Sequence, residues 1–117
     1  MISIIIPAYN EAKYLPATLA AVRRALGANE ESFEIIVVDN DSTDDTCGVA
    51  FRLGARVVGE RERNIAAVRN TGGDAAGGEV LVFIDADTIV RPGLFERIED
   101  AMEDAGCLGG SVDVEYD

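Results

Sequence analysis

Residues 78–87 read GEVLVFIDAD, in which the unbroken apolar run 80–84 is followed by two aspartates, Asp85 and Asp87. A strand that is buried on both faces of a sheet has this continuous apolar pattern, whereas a strand with one wet face alternates apolar and polar residues. The predicted strands are Ile2–Ile6, Glu34–Asp39, Ala55–Val58, Glu79–Ile84 and Leu108–Val114, and the first, second and fourth of them are centred on apolar runs. Such strands are typical of a parallel sheet covered on both sides.

Segments with helical periodicity alternate with these strands. The first predicted helix runs from about Leu15 to Leu26, with Pro16 in its first turn and Gly27 at its exit. Three more helices are predicted: one opened by the capping-box spacing of Ser42 and Asp45 and closed at Gly54, one marked by Ile65 and Val68 that ends near Gly77-Gly78, and one from Pro92 to Gly106 with Ile98 inward. The alternation predicts an α/β fold, an open and mostly parallel sheet with helices on both faces, in a single domain over residues 1–117.

Charge limits the partners of this chain. Its 117 residues include 10 basic and 22 acidic side chains, a net charge of −12, and such a surface repels nucleic-acid phosphates. A nucleotide diphosphate would be repelled as well unless arginines or a bridging cation neutralise it. Lys13 is the sole lysine. Salt adaptation and a GC-rich genome, which favours arginine codons, both explain this composition.

The cysteines and the length of the apolar runs indicate where in the cell the protein is expected. Cys47 and Cys107 are isolated in a chain without histidine, so a zinc site is not expected, and both are interpreted as small buried side chains in a reducing compartment. The segment at the start of the chain is too short for a signal peptide, and no apolar run approaches membrane-spanning length. We expect a cytoplasmic protein, with attachment to the inner face of the membrane only through a C-terminal part absent from the chain.

Carboxylates follow three of the predicted strands, at positions Glu11, Asp39, Asp85 and Asp87. Ligands of open parallel sheets bind beyond the carboxyl ends of the strands, so these side chains are expected to share one rim. In an extended Asp85-Ala86-Asp87 segment the two carboxylates would project to one side and suit Mg²⁺ or Mn²⁺, which prefer oxygen ligands. The alternative interpretation is an acidic, solvated loop.

Other candidates also have structural alternatives. Residues 7–11, PAYNE, either meet a ligand or form an ordinary strand-to-helix turn, and Asp39 either binds or caps the turn to Ser42. The local basic concentration at Arg61, Arg63 and Arg69 either offsets a diphosphate or forms ion pairs with Glu60 and Glu62. Within the third helical pattern, Gly72 and Gly73 indicate either close packing on the sheet or an early helix end.

Four segments in order, IIIPAYNE (4–11), IVVDNDSTDDT (36–46), AVRNTG (67–72) and GEVLVFIDAD (78–87), resemble family 2 glycosyltransferases over nearly the whole chain. The resemblance implies the Rossmann-like GT-A fold and transfer from a nucleoside-diphosphate sugar with inversion at the anomeric carbon. It implies that Pro7, Ala8, Tyr9, Glu11 and Asp39 hold the nucleoside, with Asp39 facing the base. Asp85 would reach the ribose and the metal region, Asp87 would bind Mg²⁺ or Mn²⁺ directly, and Asn64 or Arg69 would touch the base or the diphosphate.

Two departures from the family pattern qualify this resemblance. The family's carboxylate base and acceptor site lie well downstream of the DxD segment, and the last acids, Asp113, Glu115 and Asp117, lack a matching context. We therefore expect a truncated donor domain without the acceptor-binding part, unable to transfer sugar alone and prone to self-association through the open sheet edge beyond Val114. At Asp41 the family more often has glycine.

Two rival functions share the fold class. A phosphoacceptor receiver domain would need a lysine after its fifth strand, and Lys13 is far from that place. A catalytically silent nucleotide-binding or interaction module of the same fold stays open as the alternative. The donor nucleotide, the sugar and the acceptor cannot be read from the residues.

Overall fold

The computed structural model describes residues 1–27 and 32–87, the backbone of 110–114, and single positions at 96, 98 and 100. Its strands are β1 (Ile2–Ala8), β2 (Phe33–Asp39), β3 (Arg56–Gly59), β4 (Val80–Ile84) and β5 (Gly110–Val114). Its helices are α1 (Leu15–Leu26), α2 (Thr46–Arg52) and α3 (Ile65–Ala75). Of the predicted fourth helix, Glu96, Ile98 and Asp100 are described as helical and the rest lies outside the described residues.

The strands form one sheet in the order β3-β2-β1-β4-β5, and every neighbouring pair is parallel. β1 lies at the centre, with Ile4 paired to Ile35 of β2 on one side and to Val82 of β4 on the other. The apolar runs that predicted buried strands therefore do form the interior of a parallel sheet, which confirms the predicted fold class.

Side chains alternate across β1 into two apolar cores. Ile4 and Ile6 pack with α1, α2 and Ile98 on one face, whereas Ile5 packs with Val68 of α3 on the other. Helices thus cover both faces, as predicted, and the burial of Ile98 agrees with its expected inward position. In the described part of the chain, no helix is both long and apolar enough to cross a membrane.

Pro7 does not end the first strand, contrary to the prediction that β1 stops at Ile6. The strand continues to Ala8, with Pro7 opposite Val38 of β2. Pairing with β4 stops two residues earlier, at Ile5. Proline lacks an amide donor and is tolerated where a strand has a neighbour on one side only, which is the situation of Pro7.

The predicted start of α2 was wrong. The helix begins at Thr46, and its cap residue, Asp45, makes no capping hydrogen bond with its side chain. Ser42 instead accepts a hydrogen bond from the Asn10 amide, 2.9 Å away, so it bonds to another loop rather than to its own helix. Cys47, interpreted as buried, is exposed near the start of α2. Cys107 lies outside the described residues.

Gly72 allows α3 to lie close to the sheet. A Cβ atom at this position would fall 2.5 Å from Ile5 Cγ2 and 3.1 Å from Val38 Cγ2, both fully buried. At Gly73 the nearest atom would be Leu81 Cδ1 at 3.5 Å, an ordinary contact. The helix continues past both glycines to Ala75, so close packing explains Gly72 and an early helix end does not.

Candidate functional site at the carboxyl edge of the sheet

The carboxyl ends of β2, β1 and β4 are adjacent, because these strands are parallel neighbours in the sheet. Three loops extend from this edge on the β3 side: residues 9–14 after β1, 40–45 after β2 and 60–64 after β3. Asp85-Ala86-Asp87 follows β4 at the same edge. The topology therefore places the predicted acidic residues along one rim.

The Asp85-Ala86-Asp87 segment is fixed through its middle residue. The Ala86 side chain is buried, and its carbonyl accepts a hydrogen bond of 2.6 Å from the Thr18 hydroxyl of α1. Asp85 and Asp87 are both exposed on either side of it. The segment enters a turn at Ala86, so the predicted extended geometry was wrong, although both carboxylates still reach the surface of the rim.

Glu11 lies within the electrostatic field of these aspartates. Its partial burial raises the pKa of its carboxyl group, and the negative charges of Asp87, Asp44 and Asp85 raise that pKa further. Within the described ranges, no three acidic, cysteine or histidine side chains are arranged to hold a metal ion by themselves. The rim thus concentrates negative charge, and a cation there would complete its coordination with water or with oxygen atoms of a bound molecule.

Asp39 has a structural contact and also lines a cavity. Its Oδ1 accepts a hydrogen bond of 3.2 Å from the Ser42 amide, which is the turn contact considered as its alternative role. The carboxylate also lines a cavity of about 260 Å³, shared with Asp41, Gly59, Glu60 and Arg61. The two roles are compatible, because the turn bond holds the carboxylate at the mouth of that cavity.

A second cavity, of about 300 Å³, brings together four residues predicted for nucleotide binding, Pro7, Ala8, Tyr9 and Asn64. Its remaining lining residues are Asn40, Arg63, Ile65 and Val68. Ile65 is 67% exposed although it is large and apolar. No ligand contact was predicted for Asn40 or Ile65, and the exposed position of Ile65 in the first turn of α3 is apparent only from the fold.

Two of the predicted binding residues have defined structural contacts. Asn64 caps α3, since its Oδ1 accepts hydrogen bonds from the amides of Ala66 (2.8 Å) and Ala67 (3.3 Å). Arg69 stacks on Phe83, with its guanidinium carbon 4.0 Å from the ring centroid. Asn64 lines the 300 Å³ cavity and Arg69 does not, so the structure places only Asn64 beside the other predicted nucleotide contacts.

Arg63 stacks on the ring of Tyr9. Its guanidinium carbon lies 3.7 Å from the ring centroid, within the range of a cation–π interaction. It also donates a hydrogen bond of 3.3 Å to the Asp41 carbonyl. Among the described residues, ion pairs join Arg52 to Asp45 and Arg56 to Glu34, so Glu60 and Glu62 do not neutralise Arg61 and Arg63.

Asparagine side chains connect the three loops, a feature that sequence analysis missed. Asn10 Oδ1 accepts hydrogen bonds from the amides of Thr43 (2.7 Å) and Asp44 (3.3 Å), which joins the first loop to the second. Asn40 Nδ2 donates to the carbonyls of Glu60 (2.7 Å) and Glu62 (2.8 Å), which joins the second loop to the third. The site is therefore one connected assembly of loops.

The largest of the three cavities, about 430 Å³, opens at the opposite end of the sheet and is lined by Arg23, Leu26, Phe33, Glu34, Ile35, Gly54 and Arg56. Its charged groups are engaged within the protein. Arg56 donates a hydrogen bond of 2.7 Å to the Ala75 carbonyl and lies 3.9 Å from Glu34, which also accepts from the Gly77 amide. The carboxyl edge is the better candidate, because predicted residues from several loops meet there.

Comparison with known proteins decides the family. The sequence pattern of the family described as Glycosyl transferase family 2 matches residues 3–117. This chain belongs to that family. Glycosyltransferase AglE of Haloferax volcanii is 30% identical over an alignment that covers 98% of this chain and 40% of the relative. Human dolichyl-phosphate beta-glucosyltransferase is 29% identical, with 88% of this chain and 36% of that enzyme covered.

Solved structures agree with the family assignment and with the GT-A fold. Staphylococcus aureus TarS in complex with UDP superposes with a TM-score of 0.72 at 25% identity, covering 88% of this chain and 32% of that one. Glucosyl-3-phosphoglycerate synthase from Mycobacterium tuberculosis, crystallised with Mn²⁺, UDP and glucosyl-3-phosphoglycerate, gives 0.70 at 28% identity, covering 88% and 39%. The chain of this family 2 glycosyltransferase thus spans about two fifths or less of these relatives.

Proposed function

We propose that residues 1–117 form the donor-binding part of a glycosyltransferase and bind a nucleoside-diphosphate sugar across the carboxyl edge of the sheet. The observation that carries this proposal is the placement of two features at one edge. A cavity is lined by Pro7, Tyr9 and Asn64, and close to it in the chain lies Glu11. The pKa of Glu11 is raised by its partial burial and by the nearby carboxylates, Asp87 and Asp85 among them.

The nucleoside is proposed to occupy the side of the edge near β1, β2 and β3. Tyr9 is 40% exposed and offers an aromatic ring, while Pro7 and Ala8 provide the apolar floor of the 300 Å³ cavity. Asp39 lies at the end of β2, and its neighbouring cavity includes Arg61. A base needs an apolar surface together with a few polar groups that fix its orientation, and this part of the edge supplies both.

A divalent cation, Mg²⁺ or Mn²⁺, fits the side of the edge formed by β4. Asp85 and Asp87 are exposed oxygen donors, and their charges contribute to the raised pKa of Glu11, so negative charge accumulates on this side of the edge. Two carboxylates with phosphate and water oxygens would complete the coordination that Mg²⁺ commonly takes. A bound cation would neutralise the charge that develops on the departing diphosphate. The mycobacterial synthase, which was crystallised with both Mn²⁺ and UDP, supports this assignment.

The chain's own residues would orient the donor and hold its leaving group. The Thr18 hydroxyl fixes Ala86, which keeps Asp85 and Asp87 at the rim, and Arg61 and Arg63 supply positive charge in a strongly acidic chain. Inversion at the anomeric carbon and a carboxylate base outside these residues stay predictions from the family resemblance. The family favours a transferase over the catalytically silent module, and a transfer assay on the whole protein would separate the two.

Calorimetry tests the donor site directly. UDP and GDP are titrated into the protein with Mn²⁺ and again with EDTA. We expect the nucleotide that binds to lose at least about 10-fold in affinity in EDTA, because diphosphate and carboxylates repel each other without the cation. Equal affinities in Mn²⁺ and EDTA would contradict the metal assignment. If neither UDP nor GDP binds, the donor site is contradicted for both nucleotides.

Two substitutions separate the halves of the site. Asp87→Ala is expected to remove the cation dependence without loss of folding, because the side chain is exposed at the rim. Asp39→Ala is expected to weaken nucleoside binding while the requirement for the cation persists. Asp74→Asn, at a position near the far end of α3, removes one charge away from the edge and serves as the control. An Asp39→Ala protein with unchanged affinity would remove Asp39 from the site.

A further inference from the structure

Asn40 joins the second of the three loops on the β3 side of the edge to the end of β1 and to the third loop. Its backbone amide donates to the Ala8 carbonyl at 2.8 Å, which ties the start of its loop to the end of β1. Its side-chain Nδ2 donates to the Glu60 carbonyl at 2.7 Å and the Glu62 carbonyl at 2.8 Å. One half-buried residue thus contacts β1 and both ends of a three-residue stretch after β3.

The stretch that Asn40 holds contains one arginine and directly precedes another. The carbonyls of Glu60 and Glu62 flank Arg61, and Arg63 follows directly. Arg63 lies over Tyr9 at 3.7 Å, so its place against the ring depends on where the backbone of the third loop lies. Besides the cation–π contact, one hydrogen bond of 3.3 Å, to the Asp41 carbonyl, locates Arg63.

The hydrogen-bonding chemistry at Asn40 requires a donor. Both partners of Nδ2 are carbonyl oxygens, which only accept hydrogen bonds. A carboxylate in its place would have no proton to offer and would face two carbonyl dipoles of like sign. A donor side chain suits this position, and aspartate cannot make the same hydrogen bonds although it has almost the same size and shape as asparagine.

We propose that Asn40 is a positioning residue for nucleotide recognition: it sets the third loop so that Arg63 and Tyr9 form one wall of the 300 Å³ cavity. This role rests on the proposed donor function. Asn40 acts through Arg63 and Tyr9 and belongs to the nucleoside side of the edge. Cation binding at Asp85 and Asp87, on the far side of β1, should not depend on it.

The test compares Asn40→Ala and Asn40→Asp with the unaltered protein. Both substitutions remove the donor, and only the second adds charge. Asn70→Asp, at an exposed position of α3, adds the same charge outside the site and is the control. UDP affinity in Mn²⁺ is measured by calorimetry, binding of Mn²⁺ alone by electron paramagnetic resonance, and the Arg63 side-chain protons by NMR, where the Tyr9 ring shifts them upfield.

We expect both Asn40 variants to bind UDP roughly 10–100-fold more weakly, the change that loss of two hydrogen bonds can produce. The upfield shift of the Arg63 protons should disappear, while Mn²⁺ binding should stay as in the unaltered protein. A general loss of folding would instead weaken UDP and Mn²⁺ binding together, and that outcome would overturn a positioning role.

Other outcomes are equally decisive. If Asn40→Ala keeps the UDP affinity and the Arg63 shift, the proposal is wrong. If only Asn40→Asp then binds UDP more weakly, charge repulsion explains its loss of affinity. If the unaltered protein binds Mn²⁺ but neither UDP nor GDP, the proposed donor function fails and the role of Asn40 fails with it. If GDP binds and UDP does not, the variants are compared with GDP. If the unaltered protein binds UDP and both Asn40 variants bind it equally well, the Asn40 proposal fails while the proposed donor function stands.

Discussion

Two asparagine residues in this site use different atoms of their side-chain amides. Asn10 accepts hydrogen bonds through Oδ1 from backbone amides, whereas Asn40 donates through Nδ2 to backbone carbonyls. Asn10 also has a positive φ of 54°, a region that asparagine tolerates better than most residues. At each position the backbone groups nearby determine which atom of the amide is needed.

Asp41 provides the residue-scale prediction. Its φ is 57°, the left-handed region that favours glycine, which gives a physical reason for the glycine that the family resemblance implies here. Asp41→Gly is therefore expected to raise the free energy of unfolding by about 0.5–1 kcal/mol, after allowance for the greater freedom of the unfolded chain. Urea denaturation measures the change.

Asp41→Ala is the matched control, because it removes the same charge and keeps a Cβ atom in the left-handed region. We expect it to be no more stable than the unaltered protein. If the alanine variant gains as much stability as the glycine variant, relief of charge repulsion explains both and backbone strain explains neither.

At the scale of elements, local sequence signals were sufficient for some helices and not for others. The bounds of α1 were predicted correctly, because Pro16 and Gly27 act within the helix and next to it. The start of α2 was misplaced because Ser42, suited to capping, bonds to Asn10, 32 residues away. A capping pattern cannot show that a distant loop will use the same hydroxyl.

The candidate site, too, was predictable from sequence only in part. Carboxylates after apolar strands predicted its position, since parallel strands bring their carboxyl ends to one edge. The cavity beside Tyr9 and the contacts of Asn40 could not be predicted, because they join residues from different loops. The turn at Ala86 likewise depends on Thr18, which lies 68 positions earlier in the chain.

The glycine pair of α3 gives the element-scale prediction. Gly72→Ala is expected to lower the free energy of unfolding by about 1–3 kcal/mol, because its methyl group would overlap Ile5 and Val38 in the core. Gly73→Ala has room for its methyl group and should raise stability by up to about 1 kcal/mol through helix propensity. Thermal unfolding of the two variants side by side measures both effects, and equal stabilisation by both would show that α3 is not tightly packed at Gly72.

For the whole molecule, net charge is the dominant electrostatic property. The chain carries −12, and in its described part the two ion pairs, Arg52–Asp45 and Arg56–Glu34, both involve exposed arginines. Exposed pairs contribute little, so repulsion between acidic side chains should destabilise the fold at low salt.

Salt dependence of the melting temperature tests the origin of this composition. If the protein is adapted to salt, we expect the melting temperature to rise steeply from low to molar KCl, by roughly 5–10 °C. Simple screening would level off at a few tenths molar, because the Debye length is already short there. A flat response would favour codon bias as the explanation of the low lysine content.

We propose that the nucleotide and its cation bind at the carboxyl edge and not in the larger cavity at the opposite end. NMR of the ¹⁵N-labelled protein with Mg²⁺–UDP and then Mn²⁺–UDP tests it in one experiment, because Mn²⁺ broadens nearby amide signals. We expect the strongest broadening at Glu11 and Asp85–Asp87, shifts at Tyr9 and Asn40, and the least effect at Gly54 and Gly77. Strongest broadening at Gly54 and Gly77, or no saturable change at the edge, would contradict it.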